Sequence, residues 1–314
     1  MGVILNNLIP IIGSSIAMSI PLVLASVGGA FSVRSGIMAL GLESMMMMGA
    51  FFGVLGSYFT GSVLFGFLLG MVGGMVIGLF HGILSVRYKV NQVISGIGLN
   101  LLALAVTTLL MQLIWNNKGS TPQVASISTT LDFFAPIPVI GPILAQQSVS
   151  FLVMVAVVIV GWIVLFKTRF GLRLRACGEH PQAADSVGIN VYKMRYAGVI
   201  ISGALGAIGG MAYIVPPVQT WNFEVGVAGA GFLAMAVMIF GQWKPFNIFG
   251  AAMFFAVFKS LANIADSTFL AQLHWSSNIY NMMPFVASMI ILAFTSKNSM
   301  APKAEGIPYD KGSR

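Results

Sequence analysis

The sequence predicts an all-α fold, a polytopic transmembrane helical bundle of about nine spans. Three observations carry this. Hydrophobic residues make up 57% and charged residues 8% of the 314, against about 25% charged in a soluble chain, and the mean hydropathy is +0.92. Several apolar runs reach the roughly 20 residues that a helix needs to cross a bilayer. The basic residues sit mostly at the ends of those runs. The net charge of +8 is therefore an orientation signal and not a nucleic-acid footprint. A transmembrane barrel would alternate polarity over short segments, and this chain does not.

In order, the apolar runs fall near residues 8–30, 36–59, 62–86, 92–115, 148–166, 196–215, 227–243, 247–265 and 279–295. The start, MGVILNN, lacks a basic n-region, so the first run reads as a retained helix. Residues 1–296 form one transmembrane domain and 297–314 a short tail. A polar, proline-containing loop spans residues 116–147. Arg34, Arg87, Lys89, Lys244, Lys297 and Lys303 flank the runs, and a basic island at 167–195 carries six of the 16 basic residues. Simple alternation of the spans puts all of these, and the C-terminus, on the cytoplasmic side. A re-entrant segment near residues 32–42 would shift that count by one. The single cysteine, Cys177, excludes an internal disulfide.

The third run holds a glycine ladder: Gly66, Gly70, Gly74, Gly78 and Gly82. The four-residue step keeps them near one helix face, where small residues let backbones approach closely in lipid. The sixth run repeats the device with Gly198, Ser202, Gly206 and Gly210. Both read as packing faces. Gly36, Gly41, Met45 and Met48 match Gly226, Gly231, Met235 and Met238 in spacing. The two copies lie five spans apart, as in an inverted-topology repeat.

No G-x-x-x-x-G-K-[ST] motif occurs, so ATP binding through a P-loop is excluded. His81, His180 and His274 lack ligand spacing, and no metal site is expected. Glu43 falls about two turns into the second run. A charge there costs about 2.5–3.5 kcal/mol. It lines a solute pathway, or it locks helices, directly or by pairing with Lys259; both readings stand. Asp266 lies on about the same face as Lys259. Gln92, Asn100 and Gln112 place amides along the fourth run. They suit a polar, uncharged solute, and equally suit interhelical hydrogen bonds of about 0.6 kcal/mol each. Trp221, Phe223 and Phe232 can stack on a base or sugar ring, or form an interfacial aromatic belt.

Within the island, Pro181 suits the first turn of a helix and Gly188 its end. Between them, Ala183, Ala184 and Val187 make a small apolar face. Such a short helix docks on a motor subunit or lies on anionic lipid. The flanking arginines fit both, while Glu179 and Asp185 favour a protein partner.

The stretches RSGIMALGLESMMMMGAFFG, NQVISGIGLNLLA, FGLRLRACGEHPQAADSVGINVYKMRY and GFLAMAVMIFGQWKP resemble the permease subunits of bacterial ABC importers. The branch is the one shared by branched-chain amino acid, ribose-type sugar and nucleoside systems. The tail GIPYDKGSR is similar to its nucleoside or simple-sugar subgroup. One departure is Ala230, where the family pattern carries a polar residue between glycines. The resemblance implies a non-catalytic permease of the plasma membrane. It implies a coupling helix built from Glu179, His180, Pro181, Ala183, Ala184, Asp185 and Gly188. It also implies a second permease, an extracytoplasmic substrate-binding lipoprotein, and a cytoplasmic ABC ATPase that holds ATP and magnesium. The solute it points to is a nucleoside, with a simple sugar or branched-chain amino acid as the alternative; the residues themselves read as a pathway of Glu43, Gln92, Asn100 and Phe232. The competing class is an ion-coupled secondary transporter that uses Glu43 as a proton site.

Overall fold

Polar residues between the apolar runs act as helix caps. In the computed structural model, which describes residues 2–125, 131, 141–215, 220–264, 282, 283, 286, 289 and 300–312, the first helices are α1 (Gly2–Arg34), α2 (Leu42–Thr60) and α3 (Val63–Gly82). α3 runs on into a π-helical turn, Ile83–Arg87, and α4 spans Gln92–Trp115. After the short α5 (Gly141–Ala145) come α6 (Val149–Lys167), α7 (Arg169–Glu179), α8 (Pro181–Ser186) and α9 (Val191–Ile214). The last are α10 (Ala230–Phe240) and α11 (Pro245–Ile264). The Asn91 side chain accepts from Val93 N at 2.9 Å, that of Thr168 from Gly171 N at 3.1 Å, and that of Asn190 from Lys193 N at 3.0 Å. Each satisfies an amide that the first helical turn leaves unpaired. Gly61 and Asn116 end α2 and α4 in the left-handed conformation.

α1 and α9 lie together at the centre. α1 packs on α9, α10 and α11, while α9 packs on α1, α2 and α3. The outer faces of α3, α4 and α6 expose apolar side chains such as Leu68, Val72, Leu101, Leu109 and Val160. These faces suit lipid.

The glycine ladder of α3 meets two helices in turn. A Cβ at Gly66 or Gly70 would lie 2.5 or 2.6 Å from the carbonyl oxygens of Gly53 and Gly49 on α2. At Gly74 it would strike the Gly203 carbonyl, and at Gly78 it would come within 2.7 Å of that of Val199, both on α9. Gly82 faces the Tyr196 ring at 3.0 Å. On α9, Gly198 lies against Phe31 O and Ser35, and Gly210 against the backbone of Met46.

Among the described residues, six helices are long and apolar enough to cross a membrane. The seventh expected run, 227–243, holds only the 11-residue α10. Its start is cut by Gly226, Ala228 and Gly229, with φ of 84°, 52° and 77°. The eighth corresponds to α11. Of the ninth, 279–295, only residues 282, 283, 286 and 289 are described, and Asp266, His274 and Lys297 lie outside the described residues. The second run also begins later than expected, because Gly36 (φ 96°) turns the chain and α2 starts only at Leu42. Gly36 and Gly226, matched in the sequence repeat, thus share a positive φ. That conformation is open to glycine at no steric cost.

Trp221 and Phe223 belong to no interfacial belt. Both are fully buried. Trp221 stacks on Phe67 with centroids 6.0 Å apart, and Phe223 meets Phe51 edge-on. Residues 120–124 pair with 221–224 and hold them there.

Candidate functional site

Two regions gather the residues that the sequence singles out. The first is the break between α1 and α2. A non-helical segment inside an apolar bundle must have its backbone groups satisfied by other parts of the protein. Here side chains of α3 and α4 supply the partners. Gln92 Oε1 accepts from Met38 N at 2.8 Å. Asn100 donates Nδ2 to Leu40 O at 3.1 Å and accepts from Ser44 N at 3.0 Å. His81 Nε2 lies 3.0 Å from Met38 O, and its Nδ1 lies 3.0 Å from Ser95 Oγ. A carbonyl only accepts, so Nε2 carries the proton and Nδ1 accepts from the serine hydroxyl. Gln92 and Asn100 therefore face the broken backbone, and sequence spacing gave no sign that His81 joins them. Among the described residues, Gln112 bonds only locally, to Asn116 Oδ1 at 2.8 Å.

Glu43 sits in the first turn of α2, not two turns inside it, because the helix starts late. It is 7% exposed. Its two oxygens accept from the amides of Gly229 at 3.0 Å and Gly231 at 2.7 Å. Those amides open α10, so the carboxylate lies at the positive end of that helix as well as its own. Gly231 has no room for a side chain, since an added Cβ would lie 2.5 Å from Glu43 N and Cα. Lys259 is not its partner: the ammonium lies over the Tyr213 ring at 5.2 Å. Between the two glycines, Ala230 is buried, while Phe232, next along, is 46% exposed.

The depth of this junction follows from helix length. The turn after α10 lies near the basic end of the bundle: Arg34 donates to Gln242 O at 3.3 Å, and Met300 N donates to Gln242 Oε1 at 2.8 Å. Eleven residues rise about 16 Å from that end. Glu43 and the α10 N-terminus therefore meet well inside the bundle, away from that end.

The second region is the island. It is two helices, not one, and α7 carries Arg169, Arg173 and Arg175. α8 begins with Pro181 in its first turn and is followed by Gly188 at φ 82°. Glu179 closes α7, and His180, exposed, precedes Pro181. One expectation needs correction. Ala184 is buried against Cys177, Val191 and Tyr309 and faces the protein itself. The outward face is Gln182, Ala183, Ser186 and Val187, with Val187 74% exposed. Burial also pushes the Cys177 thiol up to about 11, which leaves it protonated and unreactive at neutral pH.

Residues 300–312 lie across this region. Ala304 N donates to Gly178 O at 2.9 Å, and Lys311 pairs with Asp185 at 3.6 Å. Arg195, expected to mark topology, is buried and donates to Ile307 O at 2.9 Å. Burial also pushes the Glu305 carboxyl from 4.5 up to about 7. The docked tail thus binds this proton more tightly than a released one. Its docking should be firmest below about pH 4.5, weaken as pH rises toward 7 and level off above. Hydrogen exchange of residues 300–312 at pH 5.5 and 7.5 checks this. Glu305→Gln should remove the difference.

Comparison with known proteins follows the same lines. The family model described as branched-chain amino acid transport system / permease component matches residues 11–293. The guanosine ABC transporter permease protein NupQ of Bacillus subtilis is 37% identical over 314 residues, covering 97% of either chain. The nucleoside ABC transporter permease protein NupC of Lactococcus lactis is 37% identical, over 98% of this chain and 99% of its own. The putative glucose ABC transporter permease protein TsgC13 of Haloferax volcanii is 33% identical over 80% of this chain and 76% of its own. No solved structure gives a significant match.

Proposed function

The chain belongs to the family of branched-chain amino acid transport system permease components, and from that premise we propose that it is the permease subunit of a nucleoside importer. The observation that carries the solute is the 37% identity, over nearly the whole chain, to two permeases named for guanosine and nucleosides. The chemistry of the Glu43 junction supports an uncharged solute. Transporters commonly hold an anionic substrate group at the exposed N-terminus of a broken helix. Here that end of α10 is filled by the chain's own carboxylate, which leaves it no role in seizing the carboxylate of an amino acid.

The chain contributes half of a translocation pathway, with Phe232 as a surface for a base or sugar ring. Residues 1–296 are the permease domain. A second permease, homologous or identical, forms the other half. A substrate-binding lipoprotein delivers the solute on the outer side of a bacterial plasma membrane. ATP and magnesium belong to cytoplasmic ATPase subunits, so this chain is not itself an enzyme, and the basic end with the C-terminus faces the cytoplasm. The matched Gly36 and Gly226 turns, and the reciprocal packing of α1 and α9, support an inverted repeat of α1–α3 with α9–α11.

α8 is the coupling helix, and its outward residues set the test. Val187→Asp together with Ala183→Arg should abolish co-purification with the ATPase without disturbing the fold. An intact complex with normal uptake would refute the assignment. The solute is tested by reconstituting the complete importer in vesicles. Saturable, ATP-dependent guanosine uptake that leucine does not inhibit is the expected result. Uptake by this chain alone on an ion gradient would overturn the importer reading. Inhibition by glucose rather than nucleosides would favour the sugar reading, which the likeness to TsgC13 supports.

A further inference from the structure

The tail residues are bonded to more separate elements than a loose C-terminus requires. From one end to the other, Met300 N donates to Gln242 Oε1 at 2.8 Å. Lys303 N donates to Glu179 Oε2 at 3.4 Å, and Ala304 N to Gly178 O at 2.9 Å. Two residues on, Gly306 N donates to Gly36 O at 3.2 Å. Gly306 needs its φ of 76° there, with the Met38 side chain against it. Then Ile307 O accepts from Arg195 at 2.9 Å. Asp310 pairs with Lys89 beyond α3 at 2.7 Å, and Lys311 with Asp185 of α8 at 3.6 Å. Tyr309 is buried, packed in one apolar cluster with Ala184 of α8 and tilted against Tyr192 of α9.

We propose that residues 300–311 are a strap that carries movement of the coupling helix to the turn from which α2 rises, a role that rests on the permease reading above. The geometry of the bracket is the argument. Ala304 holds the end of α7, just before α8, while Gly306 holds Gly36, where α1 turns toward α2. A strap only two residues long between those bonds has little slack, so a displacement of Gly178 is passed to Gly36. Gly178 also abuts the Arg34 carbonyl directly, a contact that only pushes, and Glu179 reaches Arg34 through one long pair at 3.9 Å. The hydrogen-bonded strap pulls as well. The turn it grips continues through Met38 and Leu40, whose backbone groups are bonded to α3 and α4, into α2 and Glu43. The base of the broken helix is thereby tied to the helix that a cytoplasmic motor would move.

The test is release of the strap in the assembled importer. Tyr309→Ala with Asp310→Lys removes its buried ring and turns its pair with Lys89 into a repulsion. Hydrogen exchange of residues 300–311 reports the release, and co-purification with the ATPase reports a folded permease. With the strap released and the complex retained, ATP-driven uptake should fall about tenfold while ATP hydrolysis continues, the usual scale of a coupling free energy. Adding Lys89→Asp to Asp310→Lys alone, with Tyr309 kept, should restore the pair and the uptake. A released strap with uptake within about twofold of the unaltered importer would overturn the proposal. Loss of the ATPase complex would overturn it too, by making the strap part of the docking surface. The unaltered importer, measured in parallel, separates these from failure of the permease reading, which would leave it without ATP-driven uptake.

Discussion

Replacing Glu43 with alanine should abolish uptake and lower the thermal stability of the purified protein more than any other single change to a polar side chain. The carboxylate accepts from two amides at the start of α10. Without it, both amides are left inside the apolar bundle with no acceptor. Hydrogen bonds to a charged group contribute about 1.5–3 kcal/mol each, and the charge also offsets two helix N-termini. The expected cost is about 3 kcal/mol or more. Glu43→Gln should fall between: its single carbonyl oxygen satisfies one amide, while its NH2 group meets the other donor to donor. Glu43→Asp should also be impaired, since it is one methylene short. Thermal unfolding in detergent, together with uptake, measures the series. If alanine unfolds within a degree or two of the unaltered protein, the junction has no structural role. If glutamine matches glutamate in uptake, the charge is irrelevant.

The second large effect belongs to a glycine. Gly210→Ala should prevent the chain from accumulating in the membrane as a folded protein. The added methyl would strike the carbonyl, carbon and Cα of Met46, all backbone of α2. No rotamer change relieves that, so α9 and α2 must separate. Overpacking costs about 1–3 kcal/mol and at times more; a clash against backbone belongs at the top of that range. In a membrane the loss falls directly on the close packing that holds helices together. Gly74→Ala, which meets the Gly203 carbonyl, should behave alike. Gly98 on α4 supplies the control. Nothing lies within 4 Å of its would-be Cβ, so Gly98→Ala should be neutral or slightly stabilising, by at most about 1 kcal/mol. Quantified membrane insertion and size-exclusion profiles distinguish the three. A normal profile for Gly210→Ala would mean that the two helices do not approach as closely as the structure places them.

Much of the architecture was legible in the sequence, because hydropathy and charge placement speak directly to membrane spans. The long helices, the ladder on α3 and the start of α8 at Pro181 follow from local rules of spacing and capping. What stayed hidden was long-range. The shortness of α10 depends on Ala228 joining two glycines at positive φ, which no hydropathy window detects. A glutamate in an apolar run announces a partner without naming it, and Lys259 was the obvious choice because it is charged. The true acceptor bonds run to backbone amides 186 and 188 residues away. Ala183 and Ala184 are equivalent by composition, but only the packing of Tyr309 shows which one turns inward. The tail looked like a free end because its bonds are made largely by its backbone, to which sequence reading is blind.

The distance along the chain between Glu43 and its partners also sets a clock on biosynthesis. A ribosome adds about 5–20 residues per second, so roughly 10–40 s separate the emergence of α2 from that of Gly231. Through that interval α2 has no α10 amides to bond its carboxylate. The nascent helix must leave the Glu43 carboxyl to water until the second half arrives. Entry of α2 into lipid is therefore tied to the synthesis of α10. A ribosome stalled between the two would leave a protein whose first half is made but not yet able to settle in the membrane.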